Sequence, residues 1–162
     1  MRSSECGVKT TKAVSMNSKD REQLRPRTKA FALRVIKLVD ALPSRSRSAN
    51  VIGNQLLRSA TSVGANYRTS CRARSTAEFC ARMGVVEEEA DESIYWLELL
   101  VESEIMKVSR LQNLIDEGHQ LVAMVVASIR TARKKKPDRP STPNSELRTP
   151  NFPPGTRNPE QK

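Results

Sequence analysis

The chain has 162 residues, 37% of them hydrophobic, and 28 Lys and Arg against 18 Asp and Glu give it a net charge of +10. That length predicts one domain with enough chain for a real core, and no stretch reaches the roughly 18 consecutive apolar residues a membrane span needs. The three cysteines, Cys6, Cys71 and Cys80, are odd in number and in no metal-ligand spacing, so they read as reduced thiols of a cytoplasmic protein rather than a disulfide framework or a zinc site.

Residues 1–24 are polar, mixed in charge and without an apolar run, so neither a signal peptide nor an anchor is expected there, only a disordered segment. The folded unit is expected from Arg25 to Lys135. Phe31, Val35, Leu38 and Leu42 step by four and three onto one helical face, and Pro43 stops the run. A polar loop over 44–50 follows. Leu56 or Leu57, Ala60, Val63, Tyr67 and Cys71 form a second stripe, with small Ala60 and Gly64 suited to close helix approach. Ser75 and Glu78 have the capping-box spacing that opens a third helix, along which Phe79, Met83, Val86, Ala90, Ile94, Leu97 and Val101 recur. The fourth carries Leu111, Leu114 or Ile115, Gly118, Leu121 or Val122, Val125, Ile129 and Ala132 on one side and ends in Arg130, Arg133 and Lys134, which suits the negative end of a helix dipole. Beyond it, seven of the nine prolines lie between Pro137 and Pro159. Such a segment buries little and cannot stay helical, so 136–162 is expected to be a disordered basic tail.

Four amphipathic helices with short connections predict an all-α fold, an antiparallel up-and-down four-helix bundle flanked by disordered tails. No segment sustains the period-two alternation of a strand. The third helix has more apolar residues than one core face uses. Tyr95, Trp96, Leu99 and Leu100 lie off its main stripe and are assigned to an oligomer interface, partly exposed in a lone protomer.

Charge is sorted along the chain. Arg25 to Arg82 holds twelve Lys and Arg against Asp40 and Glu78, whereas Met83 to Ala132 holds ten acids against Lys107, Arg110 and Arg130. This pattern predicts an oriented field that suits a polyanion on one face and a basic neighbour on the other. The candidate nucleic-acid-binding residues are Arg58, Arg68, Arg72, Arg74 and Arg82, joined by Lys134, Lys135 and Lys136. Arginine favours bidentate phosphate contact. Without interleaved aromatics to stack bases, binding is expected to be phosphate-led and blind to sequence, whether RNA or DNA. The competing reading pairs these arginines with Glu87, Asp91 or Glu98, within or between protomers, and either Glu88 or Glu92 could turn inward toward an arginine. Ser62 and Asn66 read as a helix-to-helix hydrogen bond.

Catalysis finds no support in the residue inventory. His119 is the single imidazole, it forms at most half of a carboxylate–histidine metal motif with Asp116, and no phosphate-binding glycine loop or nucleophile elbow is present. No cofactor and no metal are expected.

The stretch Gln55-Leu56-Leu57-Arg58-Ser59-Ala60-Thr61-Ser62-Val63-Gly64-Ala65-Asn66, together with Ala77-Glu78-Phe79, Val86 to Ser93 and Tyr95 to Leu100, resembles the signature of the "four helix bundle protein" family. That family includes proteins encoded within intervening sequences of large-subunit ribosomal RNA genes and the accessory variability determinants of diversity-generating retroelements. Many members follow the Asn with Ile-Ala-Glu-Gly, where this chain has Tyr67-Arg68-Thr69-Ser70, the mark of a separate branch. The resemblance implies an antiparallel bundle, a homopentameric ring, a basic surface meeting nucleic acid, and no catalytic site. The function expected is a non-enzymatic accessory protein that binds nucleic acid. The alternative is a scaffold gripping an acidic protein partner or a mobile-element polymerase such as a reverse transcriptase.

Overall fold

The computed structural model of the protein describes residues 18–134. They form four helices: α1 (Ser18–Asp40), α2 (Arg47–Ser70), α3 (Thr76–Glu102) and α4 (Val108–Lys134). Each helix packs on the next in sequence and α1 closes against α4, so α1 and α3 lie diagonally opposite, as do α2 and α4. This is the antiparallel bundle that the four apolar stripes call for.

The stripes meet in one core. Phe31 and Val35 of α1, Leu56, Val63 and Tyr67 of α2, Phe79, Met83 and Leu97 of α3, and Leu121 and Val125 of α4 are all fully buried. Each large apolar side chain withdrawn from water in this way contributes roughly 1.5–3 kcal/mol. Buried serine hydroxyls find partners: Ser93 Oγ donates to the Glu89 carbonyl at 2.7 Å and lies in hydrogen-bond reach of Ser59 Oγ at 2.9 Å, tying α3 to α2. Arg27 of α1 bridges to α4, its Nε 2.9 Å from Glu117 Oε1 and one Nη 2.7 Å from Gln120 Oε1.

Helix ends are marked as the sequence requires. Ser46 Oγ accepts from the Ala49 amide to open α2, and Ser75 Oγ accepts from the Glu78 amide to open α3. The Glu78 carboxylate accepts from the amide of Arg74 at 2.9 Å, one residue ahead of the cap, so the box is closed from outside the helix. After α3 the chain turns through Glu104, which sits at φ 57° in the left-handed region that favours glycine.

Three expectations are corrected here. The helix begins at Ser18, ahead of the Arg25 boundary, and Leu24 is fully buried in the core. Pro26 lies inside α1 and interrupts its backbone ladder without ending it. Leu100, placed at an oligomer interface, has no exposure within the protomer, whereas Val101 is only half-buried. A seven-residue count from Phe79 runs through Val86 and Ser93 to Leu100, all buried. The stripe expected through Ile94 to Val101 instead takes two four-residue steps in a row around Ala90 and ends one residue too far. Asn66 donates to the Ser62 carbonyl of its own helix at 3.0 Å and makes no helix-to-helix bond with it. The tail expectations for 1–17 and 135–162 lie outside the described residues.

Candidate nucleic-acid interface

Antiparallel topology brings the start of α1, the end of α2, the start of α3 and the end of α4 to one end of the bundle. Arg25, Arg68, Arg72, Arg74, Arg82, Arg133 and Lys134 are exposed there. Residues scattered through the sequence thus become one basic end.

The predicted cluster then divides by what each arginine already touches. Arg58 lies higher on α2 and is engaged by α3: it donates to Glu92 Oε1, stands 3.9 Å from Glu89 Oε2, and its Nε donates to Gln55 at 3.2 Å. Trp96 Nε1 also donates to Glu92 at 3.0 Å. The Trp96 hydrogen bond and then Arg58 hold the Glu92 carboxyl below the ordinary glutamate range. Glu89 goes the other way: withdrawal from water raises it, and the more distant Arg58 offsets this only in part. Arg82 pairs with Glu78 one turn back at 2.9 Å. The Arg74 amide first and Arg82 second lower the Glu78 carboxyl. Within the protomer no ion pair among the described residues involves Glu87, Asp91 or Glu98; Glu92, one of the two carboxylates expected to turn toward an arginine, is the partner of Arg58.

Arg68 and Arg72 behave differently. With Arg25 from α1 and the half-buried Cys71 they line a concavity of about 160 Å³ between the start of α1 and the end of α2. Among the described residues no carboxylate lies within ion-pair distance of these three guanidiniums. Arg25 was not singled out from sequence because it stood at the expected domain boundary. The stripe of Phe31 and Val35, continued back two turns to Leu24, would have placed Arg25 on the bundle. Arg74 is exposed beside this group, and Lys134 ends α4; Lys135 and Lys136 lie outside the described residues.

The opposite flank is acidic. A groove of about 400 Å³ between α3 and α4 is lined by Gly84, Glu87, Glu88, Asp91 and Val122. A second, of about 340 Å³, has Glu98, Glu102, Asp116 and His119 around apolar Val101, Val108 and Ile115. Among the described residues no group of three His, Cys, Asp or Glu converges as metal ligands would. No described helix is long and apolar enough to cross a membrane. Of the proposed interface residues, Tyr95 is 52% exposed and meets Trp96 edge-on at 5.0 Å, while Trp96 and Leu99 are half-buried.

The sequence model of the 23S rRNA-intervening sequence protein family matches residues 23–127, most of the bundle. The chain belongs to that family. Among solved structures it is similar to a protein of unknown function from the S23 ribosomal protein family of Bacteroides thetaiotaomicron VPI-5482. The two are 29% identical with a TM-score of 0.62, over 66% of this chain and 98% of that one. No curated protein matches. Membership of the intervening-sequence family and the four-helix architecture therefore agree, and neither carries an assigned activity.

Proposed function

We propose that this member of the 23S rRNA-intervening sequence protein family is a non-enzymatic, oligomeric accessory protein that binds nucleic acid through its basic end, without sequence preference. The single observation that carries this reading is the set of three arginines, Arg25, Arg68 and Arg72, lining one concavity with no carboxylate in ion-pair distance of them among the described residues. Exposed arginines held around a hollow match phosphate oxygens by charge and by donor geometry. Arg74, Arg133 and Lys134 extend the basic surface around it.

Assembly supports the same function. A homo-oligomer, a ring of five being the number the family resemblance implies, sets several copies of this end side by side, and several weak contacts combine into avidity. Exposed Tyr95, with half-buried Trp96 and Leu99, is an apolar surface suited to it. The test is binding to two unrelated RNA sequences and to a duplex of arbitrary sequence, with an acidic polypeptide as competitor. Equal affinities that fall with salt support the reading. Preference for the polypeptide would instead make the protein a scaffold for an acidic partner.

A further inference from the structure

The hollow beside Cys71 differs from an open phosphate-tracking groove in shape and in charge density. Its volume, about 160 Å³, is well below the roughly 300–1,000 Å³ of sites that enclose a whole small molecule. A hollow of that size suits a phosphate group with a little water, at ~30 Å³ per water, better than a whole nucleotide. An internal phosphodiester enters such a hollow poorly, because a nucleoside flanks it on both sides and only two of its oxygens are free. A phosphate at the end of a strand has one flank and three free oxygens.

Charge points the same way. A phosphodiester carries one negative charge, whereas a monoester carries about −1.5 to −2 near pH 7, with a second ionisation near pH 6. Three arginines line the hollow: Arg25 from α1, Arg68 from the last turn of α2, and Arg72 just after it. The C-terminal end of α2 opposes them with only about half a negative charge. The lining therefore keeps a surplus of two or more positive charges, which a diester leaves uncompensated and a monoester dianion neutralises.

We propose that Arg25, Arg68 and Arg72 form a pocket for the terminal phosphate monoester of a nucleic-acid strand, in preference to phosphates within it. This deepens the reading of the basic end as a nucleic-acid interface and rests on it. The family description and the similar structure name no such pocket. Arg58 and Arg82, occupied by Glu92 and Glu78, stay outside it.

The experiment uses the full chain and fluorescently labelled single-stranded RNA of one sequence in three forms: 5′-phosphorylated, 3′-phosphorylated and unphosphorylated. Anisotropy is measured at about pH 7.5 and at about pH 5, on either side of the monoester ionisation. One of the phosphorylated forms should bind about tenfold tighter than the unphosphorylated form at the higher pH, equivalent to about 1.4 kcal/mol. That advantage should shrink at the lower pH, because the lining groups named above are three arginines and Cys71, with no carboxylate or imidazole among them. Arg68→Ala with Arg72→Ala should abolish the advantage while thermal melting reports an intact bundle. In a Cys6→Ser, Cys80→Ser background, the same RNA should slow alkylation of Cys71 several-fold, which reads occupancy without reference to affinity.

Three results overturn the proposal. Equal binding of all three RNAs would reject the terminal pocket and leave phosphate-led binding standing. Binding of none of them would remove both. Competition by a mononucleotide monophosphate or inorganic phosphate at concentrations equal to the RNA would assign the pocket to a free phosphate rather than a strand end.

Discussion

Arg58 of α2 and Glu92 of α3 are joined by a direct hydrogen-bonded ion pair, and Trp96 Nε1 donates to the same carboxylate oxygen. Glu89, the other carboxylate beside Arg58, has an oxygen buried without a hydrogen bond among the described residues. Two neighbouring acids on one helix thus answer pH in opposite directions.

Glu92 is lowered in the folded state, so its stabilisation is present above the ordinary glutamate value of 4.5 and is lost as pH falls through its lowered value. Glu89 is raised, so its ionised form disfavours the fold at neutral pH, and this handicap disappears on acidification. Glu92→Gln should therefore lower the melting temperature at pH 7 and matter little near pH 3. Glu89→Gln should be neutral or stabilising at pH 7. Thermal melts of both variants across that range check it, and equal losses for the two would contradict the arrangement.

The helix glycines separate by the space around them. A Cβ on Gly118 would stand 2.7 Å from Ile94 Cγ1, and Ile94 is buried with little freedom to move. Gly118→Ala should cost about 1–3 kcal/mol from overpacking, less roughly 1 kcal/mol of better helix propensity. On Gly64 the nearest atom to a Cβ would be the Thr28 carbonyl oxygen at 3.7 Å, an ordinary contact, so Gly64→Ala should be neutral or stabilising by up to about 1 kcal/mol. A leucine at Gly64 or Ala60 should still be destabilising, since it extends into the α1–α2 seam. Chemical denaturation of the four variants ranks them.

Glu104 holds a left-handed backbone at the end of α3. Glu104→Gly should raise stability by about 0.5–1 kcal/mol by removing that steric cost. A lower melting temperature would show that the Glu104 side chain contributes more than its backbone costs.

Much of this architecture was legible in the amino-acid pattern, and the exceptions have physical causes. All four helices follow from apolar spacing and the Ser75 cap from its distance to Glu78, whereas the Ser46 cap was missed: 44–50 reads as a polar loop, but α2 already starts at Arg47. Leu24 was missed because it stands alone among polar residues and two positions before Pro26, where local propensity argues against a helix but tertiary burial sustains one. Leu100 was misplaced because the stripe was drawn through apolar Ile94 to Val101, whereas the seven-residue repeat from Phe79 passes through buried Ser93, a polar residue that hides it in the sequence. For the site, the excess of arginine was visible, but the partner of each was not. Arg58 and Arg68 look equivalent in sequence, and only the packing of α2 on α3 shows that one meets Glu92 while the other faces the hollow with Arg25.

Self-association should depend on the exposed aromatic of α3. Tyr95→Glu removes the most exposed aromatic of the Tyr95–Trp96 pair without touching the core. Light scattering at micromolar concentration should find an oligomer for the wild type and a smaller species for the variant. A stable wild-type monomer would contradict the assembly.

The most direct measurement is a fluorescence-anisotropy salt titration with one nucleic acid on three proteins: wild type, Arg58→Ala, and Arg68→Ala with Arg72→Ala. Each phosphate neutralised contributes about −0.7 to −0.9 to the slope of log affinity against log salt. The double variant should bind more weakly with a slope shallower by about 1–2, and Arg58→Ala should keep the wild-type slope because its guanidinium is already taken by Glu92. Size-exclusion chromatography should find all three in the same assembly. A double variant with unchanged slope, or one that loses its assembly while the wild type binds no nucleic acid, would contradict the account.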